Sequence, residues 1–148
     1  MTTGMYNRVP QKGQGAQTSR VPVPQNQDLE AIIVKGDAER LVDWAEKVGK
    51  ALASHLKTSQ IRNVFGTVRR IENEWARGQE QAARRQLLLL KPKLAYYARR
   101  DQSGGVRDLE SVLRPAIDLI KGDKQRFAYF VDFFEAILAY HRAFEGRD

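Results

Sequence analysis

An apolar stripe at helical spacing, between residues 56 and 75, constrains the fold of this chain more than any other feature. Its members recur every three or four residues: Ile61, Val64, Phe65, Val68, Ile71 and Trp75. This spacing predicts an amphipathic helix that buries one face in a core. Thr58 or Ser59 is expected to cap the first turn of this helix.

Another face of the same predicted helix is basic. A turn of 100° per residue groups Ser59, Arg62, Gly66, Arg69 and Arg70 beside and behind the apolar stripe. Since Gly66 has no side chain, the backbone of a polyanion could touch the helix there while the surrounding guanidinium groups bind its phosphates. The alternative is that another helix packs closely against this glycine. The spacing alone does not decide between the two.

The net charge of the chain, +7, is concentrated around the same region. Residues 57–100 hold 11 basic and 3 acidic side chains, and residues 1–27 hold 3 basic and no acidic ones. A surface that served only solubility would mix the two signs more evenly. The distribution therefore favours contact with a nucleic acid over a merely solvated face, and leaves an acidic protein as a further possible partner.

Further helical patterns lie on both sides of the central one, and they begin near residues 28, 37, 79, 106 and 123. Pro92 and Pro115 are each expected to kink a helix. Residues 1–27 contain few large apolar side chains and are predicted to form a disordered or partner-ordered tail. We therefore predict an all-α protein, a compact bundle of about five helices over residues 28–148 after a flexible N-terminal tail.

The last predicted helix is apolar on two faces. One face carries Phe127, Phe130, Val131, Phe134, Ile137, Leu138 and His141, and the other carries Tyr129, Phe133, Tyr140 and Phe144. One small core covers only one face of a helix on its rim. Either this helix runs through the middle of the bundle, or its second face meets another subunit.

A second cationic stretch lies within residues 81–100, which hold six basic side chains and no acidic one. Lys93, Tyr96 and Arg100 recur there at helical spacing, so an aromatic ring lies between two cations. Such a ring could stack on a base while the cations bind the neighbouring phosphates. The alternative is that Tyr96 and Tyr97 are half-buried core residues.

The sequence shows no pattern of catalytic residues. The chain has no cysteine, and its two histidines, His55 and His141, are too far apart in sequence to indicate a metal site. It contains neither a phosphate-binding glycine loop nor a nucleophile with an adjacent base. We therefore expect no enzyme activity, no catalytic residue, no metal and no cofactor, and we expect a cytoplasmic protein without a membrane segment.

Three segments, taken together, resemble a known family. LKTSQIRNVF at residues 56–65, LLLLKPKLAYYARR at 87–100 and FFEAILAYHRAF at 133–144 are similar in order and spacing to the small helical subunit of the type III-A CRISPR effector, the Csm ribonucleoprotein. The resemblance covers roughly residues 30–146 and leaves out the tail.

The resemblance implies a non-catalytic subunit in antiviral defence. Subunits of this family line up in copies along a filament, beside the backbone and large subunits, and help to hold target RNA paired with guide RNA. The positions that the resemblance implies for RNA binding are Lys57, Ser59, Arg62, Arg69, Arg70, Lys91, Lys93, Arg99 and Arg100. Gly66 and Tyr96 join them from the helical geometry alone, and His141 is expected to be a core histidine.

Two other classes of function stay open on the sequence alone. A stand-alone helical DNA-binding regulator would use residues 58–71 as a recognition helix, although the turn before it only partly fits that motif. A structural adaptor would bind an acidic protein through the basic face.

Overall fold

A computed structural model of the protein describes residues 20–144. This part of the chain contains no strand and six α-helices: α1 Asn26–Leu29, α2 Ala38–Leu52, α3 Thr58–Ala76, α4 Glu80–Arg100, α5 Gly105–Asp118 and α6 Lys124–Ala143. A π-helix, Glu30–Val34, continues α1. The predicted all-α bundle is confirmed. None of the helices within residues 20–144 is long and apolar enough to cross a membrane.

Helix α6 lies in the middle of the bundle. It packs against α2, α3 and the π-helix, and Phe130, Phe133 and Phe134 are fully buried along it. Its second apolar face meets the chain itself, because Phe133 is in the core and Tyr140 packs against it. The first of the two expected arrangements is therefore the one found along most of this face, while Phe144 at the end of the helix stays 38% exposed.

Helix α2 approaches α6 closely at Gly49. A Cβ atom built on Gly49 would lie 2.7 Å from Cβ of Tyr140 and 2.8 Å from the carbonyl oxygen of Ile137. Both distances are shorter than van der Waals contact, so only glycine fits at this crossing. The second apolar face of α6 is covered here because the backbone of α2 can come so near.

Two helices begin at the predicted capping residue, and a third helix does not. Asp37 caps α2 and Asp123 caps α6, each accepting a hydrogen bond from a backbone N–H of the first turn, at 3.1 and 3.0 Å. The expected cap of α3 by Thr58 or Ser59 is wrong. The chain is extended at Lys57, which is the capping position, and its N–H donates to Oε1 of Gln60 at 3.1 Å.

Neither internal proline ends its helix. Helix α4 continues through Pro92 to Arg100, and α5 continues through Pro115 to Asp118. Each proline lacks a backbone N–H, so each position gives up one helical hydrogen bond while the flanking turns persist. The cations on both sides of Pro92 consequently belong to one continuous helix.

The bundle begins before residue 28. Val21 is buried in the core, and Nε of Arg20 donates to Oδ2 of Asp108 at 3.1 Å. Asp108 is buried, so its carboxylate requires such partners, and Nε2 of His55 lies 2.7 Å from the same oxygen. Residues 1–19 of the predicted tail lie outside the described residues.

We expect Gly49→Ala to lower the free energy of unfolding by about 1–3 kcal/mol, the usual cost of overpacking a tight contact. Urea unfolding followed by circular dichroism measures this change. Gly66→Ala is the matched control, because a Cβ there comes within 4 Å of no other part of residues 20–144 beyond the adjacent residues and the local helix backbone. It should raise the free energy of unfolding by about 0.5–1 kcal/mol, since alanine is the better helix former. Equal effects of the two substitutions would contradict the close crossing of α2 and α6.

Candidate nucleic-acid interface

One side of α3 forms a basic surface, which we call the α3 strip. Burial of the apolar stripe of α3 against α4 and α6 turns this side toward solvent. Gly66 is half-buried and the other members are exposed; the strip consists of Ser59, Arg62, Gly66, Arg69 and Arg70. The structure therefore brings together the residues that the helical spacing groups, and Lys57 is exposed at the start of the same helix.

The surface at Gly66 is open. Apart from its two chain neighbours and the local backbone of α3, no atom of residues 20–144 lies within 4 Å of the position that a Cβ would take. Close packing of another helix, the alternative explanation of this glycine, is therefore wrong for the described part of the chain. The backbone of α3 is accessible here to a molecule that lies along the helix.

The two arginines on either side of Gly66 are available to a ligand. Within residues 20–144, the side chain of Arg62 has neither a hydrogen bond nor an ion pair, and the side chain of Arg70 donates only to the hydroxyl of Thr67, at 3.2 Å. A guanidinium group without a carboxylate partner keeps its donors for an anion. Arg62 and Arg70, which are free to bind an anion, thus lie one helical turn before and one helical turn after Gly66.

Arg69 differs from its neighbours because it is already paired. Its guanidinium donates to Glu72 at 2.8 Å and to Glu135 of α6 at 3.2 Å. The hydrogen bond to Glu72 and the charges of both carboxylates raise the pKa of Arg69. This side chain also lies over the ring of Phe65, 5.1 Å from its centre. Arg69 therefore marks the edge of the strip toward α6, where its charge is largely compensated.

The predicted cations of α4 do not form one group. Nζ of Lys91 lies 2.5 Å from Asp118 of α5, and Arg99 lines a separate cavity that includes Arg107 and Glu110. Arg100 instead borders α3, and its guanidinium donates to the hydroxyl of Tyr96 at 2.8 Å. Lys93 is exposed on α4, and Arg100 shares a cavity with Asn63 and Val64 of α3.

The two tyrosines of α4 are not core residues. Tyr96 is 55% exposed and Tyr97 is 42% exposed, so the alternative of half-buried core side chains is wrong. Both rings line a cavity of about 400 Å³ between α3 and α4, which we call the tyrosine cavity. Gln60 and Asn63 of α3 also line it. The sequence predictions omitted Asn63 and Tyr97, although Asn63 lies three residues before Gly66 on the polar side of the helix.

The two histidines hold structural positions. His141 is fully buried, with Nε2 2.6 Å from the carbonyl oxygen of Leu56, as expected of a core histidine. His55 lies between buried Asp108 and the hydroxyl of Ser54. In the described part of the chain, no three metal-ligating side chains come together.

A family model described as "Csm2 Type III-A" matches residues 35–147 of this chain. The match includes α2 to α6 and therefore the whole α3 strip and the tyrosine cavity. No curated protein and no solved structure gives a match.

Three carboxylates lie at the edge of the α3 strip nearest α6. Burial raises the pKa of Asp132, and the negative charges of Glu135 and Glu72 raise it further. Arg69 pairs with Glu72 and Glu135 but has no such contact with Asp132. The ionised form of Asp132 is therefore less favourable in the folded protein than in the unfolded chain.

We expect Asp132→Asn to raise the melting temperature at neutral pH, because it removes this unfavourable charge. As the pH falls through the raised pKa of Asp132, the folded wild type takes up a proton first, so the difference should shrink. It should vanish below the ordinary aspartate pKa of about 3.9, where the carboxyl group is neutral in both states. Thermal unfolding across this pH range measures the difference. Asp43→Asn, on the exposed side of α2, is the control, and an Asp132→Asn effect independent of pH would contradict this electrostatic cause.

Proposed function

This chain belongs to the Csm2 Type III-A family and is therefore a small subunit of a type III-A CRISPR complex, and we propose that it binds RNA backbone there through its α3 strip. The RNA is the guide RNA, the target RNA or both, in a ribonucleoprotein that also contains backbone and large subunits. The subunit acts in antiviral defence and contributes no catalytic group of its own.

The observation that carries this proposal is the open surface at Gly66 between two unpaired arginines. Arg62 and Arg70 are eight residues apart, which is about 12 Å along a helix axis. A phosphate backbone that crosses the bare helix at Gly66 can receive a guanidinium group on each side. A side chain at the centre would hold the backbone away from the helix and lengthen both contacts.

The chemistry of the α3 strip suits binding that does not depend on sequence. Arginine side chains on phosphates position a nucleic acid but carry no information about its bases. In an RNA-guided complex, pairing with the guide supplies that information. The stand-alone DNA-binding regulator needs base-reading side chains at the start of α3, where Lys57 and Ser59 suit phosphate contacts equally well. Family membership supports the RNA-binding subunit instead.

We also propose that copies of the subunit associate head to tail. Helix α4 leaves Leu88 67% exposed, with Leu89 beside it. On a different side of the bundle, α2 exposes Val42 among acidic side chains, namely Glu39, Asp43 and Glu46. An apolar patch on the basic helix α4 and one beside these three carboxylates of α2 are complementary in charge. Because the two patches are on different surfaces, contact between them repeats from copy to copy and builds a filament.

The affinity for RNA should depend on the two unpaired arginines. We expect the double variant Arg62→Ala with Arg70→Ala to bind single-stranded RNA more weakly and with a flatter salt dependence, by roughly one charge for each phosphate that is no longer bound. Gly66→Ala should also bind RNA more weakly although it folds more stably, because its methyl group fills the surface that the backbone would touch. Fluorescence polarisation with labelled RNA at several salt concentrations measures both effects.

The matched control is Arg107→Ala with Arg114→Ala on α5, which removes the same charge from another surface. Its salt slope should stay close to that of the wild type. If the affinity of both double variants fell equally, the effect would be one of net charge, and the α3 strip would be the wrong surface. Preferential binding of duplex DNA by the wild type would favour the regulator.

Association between copies should depend on Leu88. We expect the sedimentation coefficient of the wild type to rise steadily with concentration, as an open-ended assembly requires. Leu88→Asp should suppress this rise, because it places a charge in the apolar contact and opposes the acidic α2 patch. Gln125→Asp changes the charge equally on α6 and should leave the rise intact. A wild type that stays monomeric at all concentrations would contradict the head-to-tail contact.

A further inference from the structure

The tyrosine cavity has the size and the lining of a small-ligand site. Its volume of about 400 Å³ falls within the range of roughly 300–1,000 Å³ that such sites occupy. Two buried valines contribute to an apolar part of the wall, Val64 from α3 and Val106 from α5. The rings of Tyr96 and Tyr97 form part of the wall on the α4 side. An apolar lining with exposed aromatic rings suits a flat aromatic group.

The polar groups of the cavity divide into two kinds. Gln60 and Asp101 are committed to the fold: Oε1 of Gln60 accepts from the N–H of Lys57, and Asp101 accepts from the N–H groups of Ser103 and Val106. Within residues 20–144, by contrast, the side-chain amide of Asn63 has no hydrogen-bond partner. An amide offers both a donor and an acceptor, so it can pair with the edge of a heterocycle.

Asp101 influences the orientation in which a nucleotide could enter the tyrosine cavity. Burial alone would raise the pKa of Asp101, but hydrogen bonds from Val106, Ser103 and Gln60 outweigh it and lower the pKa. The carboxylate is therefore ionised at neutral pH and repels a phosphate group. Entry of a nucleotide with its base first, and with its phosphate beside Arg100 of the same cavity, avoids this repulsion.

The tyrosine cavity lies next to the α3 strip along helix α3. Asn63 follows Arg62 directly and lies one helical turn before Gly66, so a strand that crosses Gly66 passes the cavity. We propose that the tyrosine cavity holds one unpaired nucleobase, packed on the tyrosine rings, with Asn63 at its edge and its phosphate toward Arg100. This inference rests on the proposed function, because the base belongs to the strand bound on the strip. Stacking of this kind tolerates any base.

The test compares adenosine 5′-monophosphate with ribose 5-phosphate on the full chain, by saturation-transfer NMR. We expect the nucleotide to bind and the sugar phosphate to bind at least about tenfold more weakly, since stacking on an aromatic side chain is worth about 1–3 kcal/mol. Tyr97→Leu should reduce nucleotide binding to the level of the sugar phosphate, while Tyr97→Phe, which keeps the ring, should retain it. Equal binding of the two ligands by the wild type would overturn the inference.

A second measurement separates this inference from the proposed function. An RNA with 2-aminopurine at one unpaired position should lose fluorescence on binding the wild type, and Tyr97→Leu should abolish this loss without flattening the salt slope. RNA binding with the expected slope but no fluorescence change would overturn the base cavity and leave the α3 strip intact. Base-dependent nucleotide binding without any RNA binding would instead overturn the strip proposal and support the cavity as a mononucleotide site.

Discussion

The burial of α6 on both of its apolar faces determines where the other helices lie. Phe130, Phe133 and Phe134 are fully buried, and side chains of this size each contribute about 1.5–3 kcal/mol when removed from water. Helix α2 covers one side of α6 through the close contact at Gly49, and α3 packs against another. With its apolar stripe held against α6 and α4, α3 must present its polar side outward. The basic surface is in this sense a consequence of where the aromatic residues are buried.

Cations that look equivalent in the sequence differ in how much of their charge is free. Arg69 shares its charge with two carboxylates, and Lys91 with one, so a phosphate must compete with those partners. Exposed ion pairs are weak, about 0–1 kcal/mol, so the competition lowers affinity without preventing contact. Arg62 faces no such competition from residues 20–144. The strongest phosphate contacts are therefore expected at the centre of the strip and the weakest at its margin near α6.

What could be predicted from the sequence was the part that depends on local spacing. The stripe from Ile61 to Trp75 predicted α3, and Asp37 and Asp123 predicted two helix starts, because periodicity and capping act within one or two turns. The tyrosine cavity could not be predicted, since it needs Asn63 and Tyr97 to meet across two helices. The pairing of Lys91 with Asp118 was missed for the same reason. At Gly66, the spacing left two explanations that only the packing could separate.

The contacts of Asp108 with Arg20 and His55 bear on the order in which parts of the chain fold and unfold. Its carboxylate joins Arg20, 88 residues earlier in the chain, to His55 in the segment between α2 and α3. A contact of such long sequence separation carries a large loop-closure entropy, so it is favourable only after the intervening helices have assembled. We therefore expect the segment before α1 to dock after α2 to α6 have assembled. It is also the part that a local fluctuation can release while α2 to α6 stay folded.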